Sequence, residues 1–349
     1  MVGITLADLR YRYRQFLIAV IGSAVVLAMA VLLSGLAHGF RTEVNTTVGS
    51  VGADRWVLSE KANGRVTSVA TFSADALDAV RTAGGVTQAD GLVVLPQEVM
   101  RAGDKLVTVT VIGAQVGGLG SPAVTDGQSL MGQGQVVVDK RTGVDAGSVV
   151  RFGSLSFDVV GSVGGHTLNG GAPVVYMPLP DAQRALLGGR PVLTAIVTRG
   201  APTQVPAGLV SLTPNEVEDA TLATLSTAVS SIENSRTMMW VIAVIIVAAL
   251  VYVSALQRVR DFAVLKALGS SSSALFGSLC LQAVIVTLLG AGLGTVLSMF
   301  MTGVFSQPVS VPTSAYTTLP LVAVAVGVIS SLVALRQATG ADPAAAFAG

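Results

Sequence analysis

Residues 238–270 read MMWVIAVIIVAALVYVSALQRVRDFAVLKALGS, and the change of character partway along decides the fold. The first part, residues 238–256, contains no Asp, Glu, Lys or Arg. A helix needs roughly 20 apolar residues to cross a hydrocarbon core of about 30 Å, so this run reads as a membrane span. Moving outward, three further charge-free runs obey the same rule: residues 16–37, residues 274–300 and a shorter one over 319–335. The last begins beside Pro320, and the uncharged residues before it can complete it. The bulk numbers agree, with 51% hydrophobic and 12% charged residues and a mean hydropathy of +0.70. Soluble domains carry about 25% charged residues.

The run after residue 15 also invites comparison with a secretory leader, because Arg10, Arg12 and Arg14 precede it and Gly35-Leu36-Ala37 has the small residues of a cleavage site. An apolar core of such a leader is about 7–15 residues. The run here is about 22, so it is read as a retained span over residues 16–40. Orientation follows from the basic residues of the short connections, Arg10, Arg12 and Arg14, then Arg258, Arg260 and Lys266, then Arg336. Basic residues stay on the cytoplasmic side, which places both termini there. Residues 301–318 carry no charge and fit the outer side. Residues 41–236 are outside as well, since long translocated domains escape the charge rule.

Several function classes are disfavoured. Charge-free spans offer no intramembrane proton relay. A net charge of +1 and a pI near 7.9 give no field for nucleic acid. Cys280 alone forms no intrachain disulfide, and in an apolar run it reads as a packed hydrophobe. His38 and His166 are isolated, no G-x-x-x-x-G-K-[ST] loop occurs, and no nucleophile or acid/base pair stands out. The chain is therefore expected to be no enzyme and to bind no cofactor or metal. Gly290 and Gly294 form a GxxxG step inside the third span, which permits close helix packing either within one chain or between two.

The outer segment reads as mixed α/β. Strands are predicted over residues 55–59, 91–101, 106–113, 135–139, 148–152, 157–163, 173–177 and 192–198, from Val/Thr/Leu content, period-two alternation and glycine-rich turns. A short helix is predicted after Ser73 as N-cap, with Ala76, Leu77 and Val80 on its apolar face and Gly84-Gly85 ending it, and another over 180–187. From Pro214 the pattern becomes a helical seam, Leu222, Leu225, Val229, Ile232 and Met239, interrupted by Arg236. With no Pro or Gly between Asn215 and Leu256, the seam predicts one continuous stalk running into the second span. The alternative is a short amphipathic helix packed on its own domain.

After residue 256, Phe262, Leu265 and Leu268 recur on one helical side with Val264 and Ala267 beside them, and Gly269 stops the helix. Composition alone fits an interfacial helix and a docking element equally. The stretch resembles the signature of the FtsX/MacB family of ABC transporter permeases, a basic-acidic-aliphatic helix between the second and third spans that ends in Leu-Gly. Family members usually have Glu in place of Asp261 and often Arg in place of Lys266. The resemblance extends to the basic lead-in, to Gly52-Ala53-Asp54 with Trp56-Val57, to residues 174–179 (VVYMPL) with Ala182-Gln183, and to Asp342-Pro343-Ala344. The family's basic run before Asp-Pro is here reduced to Arg336.

The expected architecture is an integral membrane α-helical bundle of four spans with a large mixed α/β extracytoplasmic domain between the first two. Its division is a cytoplasmic amphipathic lead-in (1–15), TM1 (16–40), the α/β domain (41–215, a first part over about 53–118 and a β-rich part over 120–190) and a stalk (216–237). TM2 (238–256), the cytoplasmic segment (257–273), TM3 (274–300), an outer loop (301–318), TM4 (319–335) and the tail (336–349) complete it. The resemblance implies that residues 257–273 are a coupling helix docking on a cytoplasmic ABC ATPase, with Phe262, Val264, Leu265 and Leu268 as buried anchor, Arg258, Arg260, Asp261 and Lys266 at the rim and Gly269 as stop. It implies an inner-leaflet elbow carrying Arg10, Arg12 and Arg14 against lipid phosphates, while the stalk carries the seam of Leu222, Leu225, Val229 and Ile232 read from its spacing. It further implies a bacterial plasma-membrane assembly of two copies of this chain with two ATPase subunits, ATP and Mg being held by the ATPase. The work would be mechanotransmission, for export or extraction of a peptide, lipid or lipoprotein. The alternative is FtsX-like control of a cell-wall hydrolase.

Overall fold

A 38-residue helix, α1 (Tyr13–Ser50), opens the computed structural model, which describes residues 13–256, 272–302 and 309–339. The chain divides into two units, residues 1–38 with 228–349 and residues 39–227. Helix α1 thus begins in one unit and ends in the other.

In the 39–227 unit, β1 (Arg55–Ser59), β2 (Phe72–Ser73), α2 (Ala76–Arg81), β3 (Gln88–Ala102), β4 (Lys105–Ala114), β5 (Asp126–Gly127) and β6 (Gln135–Asp139) come first. They are followed by β7 (Val149–Phe152), β8 (Leu155–Val163), β9 (Thr167–Leu168), β10 (Ala172–Pro178), α3 (Leu179–Leu187), β11 (Val192–Leu193), β12 (Ala195–Arg199), β13 (Leu209–Leu212) and α4 (Pro214–Ala223). The two β-rich blocks of the sequence join in one 11-stranded sheet of order β13-β1-β12-β3-β4-β10-β6-β8-β5, with β7 and β9 off that path. β2 pairs with β11 apart from it. The expected single strand over 192–198 is two, broken at Thr194, whose hydroxyl accepts from Val94 N at 2.7 Å.

Part of the sheet closes on itself. β3 pairs β4, β4 pairs β10, β10 pairs β6, β6 pairs β8, β8 pairs β7, and β7 returns to β3. The 15-residue β3 serves both parts, binding β12 through its first half and β7 through Arg101 and Ala102. An extra residue between Leu95 and Glu98 shifts its register against β4, the local bend by which a strand turns from one surface into another.

Period-two alternation then sorts the side chains into two cores. Trp56, Leu58, Val174 and Tyr176 enter one, where they meet Val44 and Val48 of α1, Val51 just after it and Val217 of α4. Val57, Val175 and Met177 enter the other with Met100, Val136, Phe152 and Phe157, covered by Val80 of α2 and Ala182 of α3. Helix α3 sits close because Gly113 of β4 leaves the room that Ala182 fills. Ser73, expected as the N-cap of α2, belongs to β2 and pairs with Val192, and Asp75 holds the cap position. Ser73 still serves that turn, its hydroxyl accepting from Asp75 N at 3.3 Å.

The other unit contains α5 (Ser226–Leu256), α6 (Ser272–Thr302) and α7 (Thr313–Thr339) with the first part of α1. All four are long and apolar enough to cross a membrane, the candidate spans being Phe16–Ser50, Ser226–Val253, Cys280–Met301 and Thr313–Leu332. Leu27, Val31, Ala243, Val247, Ala283 and Ala323 fill the interior, while Ile18, Met238, Phe300 and Leu321 face outward at 66–77% exposure. A surface this apolar suits lipid. The fourth helix starts at Thr313 rather than at residue 319, with Pro320 inside it. Pro320 is the eighth residue of that helix, past its first turn, so its missing N–H removes the bond to the Tyr316 carbonyl.

The glycine step of α6 packs within the chain. A Cβ on Gly294 would lie 2.8 Å from Ala24 O and 3.1 Å from Ala28 N, and one on Gly290 would collide with the Ser23 hydroxyl. Small residues thus let α6 approach α1 backbone to backbone. Gly327 does the same for α7, with a Cβ there 2.9 Å from Val284 Cα. Ser330 adds a bond between helices, donating to Val244 O at 3.0 Å.

Candidate coupling site

Beyond the apolar run of α1 the sequence continues Phe40-Arg41-Thr42-Glu43-Val44-Asn45-Thr46-Thr47-Val48. Val44, Val48 and Val51 keep the helical period, so the helix has a second apolar face to bury after its first, and that face covers the sheet beside Trp56 and Tyr176. Polar side chains on the same turns fasten it. The Thr47 hydroxyl donates to Thr167 O at 2.8 Å, and Glu43 accepts from Gly171 N at 3.0 Å. Three successive residues with positive φ, Asn169 at 57°, Gly170 at 81° and Gly171 at 101°, build the loop that receives Glu43. Side chains strongly disfavour the wider of these angles, so the two glycines are required there. Glu43 is only 3% exposed, and its Oε2 finds no partner among the described residues. A carboxylate so placed is costly unless held, which ties this stretch of α1 to the β9–β10 loop.

Behind the loop, His166 Nδ1 lies 2.6 Å from the Tyr176 hydroxyl, and His166 N donates to Asp139 Oδ2 at 2.8 Å. Burial pushes the Tyr176 phenol above its ordinary value. Burial likewise lowers His166, against the smaller opposing pull of the Asp139 charge. The fold therefore favours neutral His166, whereas the unfolded chain takes up its proton at the ordinary histidine value. Stability contributed by this site is present above that value and is lost as pH falls through it toward the lowered one. Acidifying the full chain from about pH 7.5 to about pH 5.5 is expected to lower the Tm read from Trp56 emission in a Trp240→Phe background, by roughly 2 °C. The additional substitution His166→Gln, which can still bond Tyr176, is expected to remove that part of the pH dependence.

The expected stalk is not continuous. Helix α4 runs from Pro214 to Ala223, Thr224 and Leu225 form a turn, and α5 starts at Ser226. The start of α4 is a capping box, in which Thr213 and Glu216 satisfy each other's backbone N–H groups. These bonds from Thr213 hold the Glu216 carboxyl below its ordinary value. The break after α4 has a threonine cause. The Thr221 hydroxyl accepts from Val66 N at 3.2 Å, and the Thr224 hydroxyl donates to Thr221 O at 2.7 Å. Backbone bonds tighten to three-residue steps there, Thr224 N to Thr221 O at 3.2 Å and Leu225 N to Leu222 O at 2.9 Å. Hydroxyls that compete for helix carbonyls loosen the helical ladder. Leu222 packs against the sheet core, and Leu222, Leu225, Val229 and Ile232 are each half-buried.

Arg14 lies exposed on the first turn of α1. Arg10 and Arg12 lie outside the described residues, as do Arg258, Arg260, Asp261, Phe262, Val264, Leu265, Lys266, Leu268 and Gly269. Sequence reasoning missed Glu43, Thr47 and the 169–171 loop. The signal was the valine period that outlasts the span.

A model described as FtsX-like permease C-terminal matches residues 237–343. Two proteins of Mycobacterium tuberculosis and one of Mycobacterium bovis, each described as an uncharacterized ABC transporter permease, are 34% identical over 349 residues, covering 100% of both chains. Among solved structures, the periplasmic region of MacB from Actinobacillus actinomycetemcomitans matches with a TM-score of 0.37 and 12% identity, covering 50% of this chain and 96% of that one. The extracellular domain of the noncanonic ABC-type transporter YknZ from Gram-positive bacteria matches with a TM-score of 0.33 and 14% identity, covering 42% and 83%. With full-length relatives at this identity, the chain belongs to the ABC transporter permeases, with an FtsX-like C-terminal region over residues 237–343.

Proposed function

We propose that this chain is the permease subunit of an ATP-driven transporter in which a separate cytoplasmic ABC ATPase moves the extracytoplasmic sheet domain, for export or extraction of a peptide, lipid or lipoprotein. The observation that carries this reading is that one helix serves both units: α1 supplies Leu27 and Val31 to the apolar bundle and Val44, Val48 and Thr47 to the sheet domain. A displacement of its bundle part is passed on through covalent helix rather than a loop. Residues 257–273 are the point of entry, a coupling helix gripped by the ATPase. Two copies of the chain work with two ATPase subunits in the plasma membrane, both termini cytoplasmic, and ATP and Mg belong to the ATPase. Arg10, Arg12 and Arg14 steady the inner-leaflet end.

Affinity purification of the full chain from its native membrane tests this. An ATPase bearing a P-loop is expected to copurify in about equal amount. Recovery of the chain without one, in mild detergent and with bound nucleotide trapped, would overturn the proposal.

A further inference from the structure

Coupling leaves a polar residue of the bundle unused, Arg236, which interrupts the apolar seam between Ile232 and Met239. It lines a cavity of about 240 Å³ together with Val31 and Ser34 of α1, Trp240 of α5, and Thr318 and Leu319 of α7. This is the end of the bundle at which α1 leaves for residues 39–227 and α5 returns from them. Arg236 pairs with Glu233 one turn earlier, and both side chains are more than a third exposed, 34% and 41%. A surface pair of that kind is worth little. A guanidinium also has five N–H donors, so one carboxylate leaves several for another anion.

The rest of the wall is divided. Ser34 offers a hydroxyl to the cavity that Arg236 lines, the Thr318 hydroxyl donates to Ala315 O at 3.2 Å, and Val31 and Leu319 are apolar. Trp240 has the amphipathic ring that settles where hydrocarbon meets water. The volume is below the roughly 300–1,000 Å³ of sites that enclose a drug-sized ligand, which excludes a whole lipid but suits a headgroup and the start of its chains. We propose that this cavity binds the phosphate-bearing headgroup of an anionic lipid drawn from the leaflet that meets this end of the bundle. Arg236 pairs with the phosphate, Ser34 donates to its oxygens, and the first methylenes lie on Val31 and Leu319. The site is independent of any ATPase.

Tryptophan fluorescence tests it directly, because the chain has 2 tryptophans and Trp56 is 2% exposed within the sheet domain. Quenching by lipids brominated on the acyl chain therefore reports on Trp240. For the full chain in mixed vesicles, brominated phosphatidylglycerol is expected to bind about fivefold more tightly than brominated phosphatidylcholine, the preference one arginine provides near an anionic surface. Arg236→Gln should abolish the preference and Arg236→Lys should keep most of it. Ala315→Phe, which narrows the cavity, should weaken quenching by both lipids. Equal affinities for the two headgroups in the unaltered chain would overturn the proposal, as would a preference that survives Arg236→Gln. Loss of the preference on adding inorganic phosphate would assign the cavity to free phosphate and reject the lipid.

Discussion

Gly294→Leu is expected to break up the helix bundle, whereas Gly292→Leu, two residues away, should leave it intact. The difference is steric. A side chain at Gly294 meets backbone atoms of α1, Ala24 O at 2.8 Å and Ala28 N at 3.1 Å, and backbone cannot swing aside as a flexible side chain can. At Gly292 nothing lies within 4 Å. Overpacking of this kind costs about 1–3 kcal/mol at one site. Adding Gly290→Leu, which collides with Ser23, should deepen the loss. The measurement is the Tm and the monodisperse fraction of detergent-solubilised full-length variants. If Gly294→Leu melts like Gly292→Leu, the glycine step does not hold α6 against α1.

The pair Leu265→Asp and Leu268→Asp is expected to release the ATPase while the sheet domain remains folded. Buried anchors at the centre of an interface are each worth about 2 kcal/mol or more, so losing one should weaken the association about thirtyfold and losing two should weaken it further. Arg258→Gln with Arg260→Gln should act differently, weakening the association modestly and reducing its dependence on salt, because rim charges steer more than they hold. Trp56 emission checks that the sheet domain is intact. Unchanged copurification by the leucine variants would remove residues 257–273 from the interface.

What the sequence disclosed, and what it withheld, follows from the range of the forces involved. Charge-free runs are legible one by one, because exclusion of charge from hydrocarbon acts on each residue separately. The spans over 238–256 and 274–300 therefore lie within α5 and α6. Strands such as β1, β6 and β10 were legible because alternation is local as well. Closure of the six-strand ring was not, since it rests on Arg101 meeting Arg151 and Val174 meeting Thr110 across long separations that no local pattern encodes. The turn at Thr224 and Leu225 was hidden for a related reason. Neither residue is Gly or Pro, and the helix ends where Thr221 is drawn into a bond with Val66, 155 residues away in sequence. Glu43 illustrates the same limit. Its partner is a loop 128 residues distant, and only the valine spacing around it hinted that the helix had more to bury. The proposed ATPase contact, in contrast, rests on sequence alone.

Ring closure also bears on how the domain can meet other proteins. A strand with an unpaired flank is a template to which a second chain can add. Among the described residues, the main run of strands ends at β13, four residues long, and at β5, two residues long. Neither offers a template long enough for durable strand addition. A partner strand added at either end would form only a short ladder, which lets go more readily than a long shared sheet.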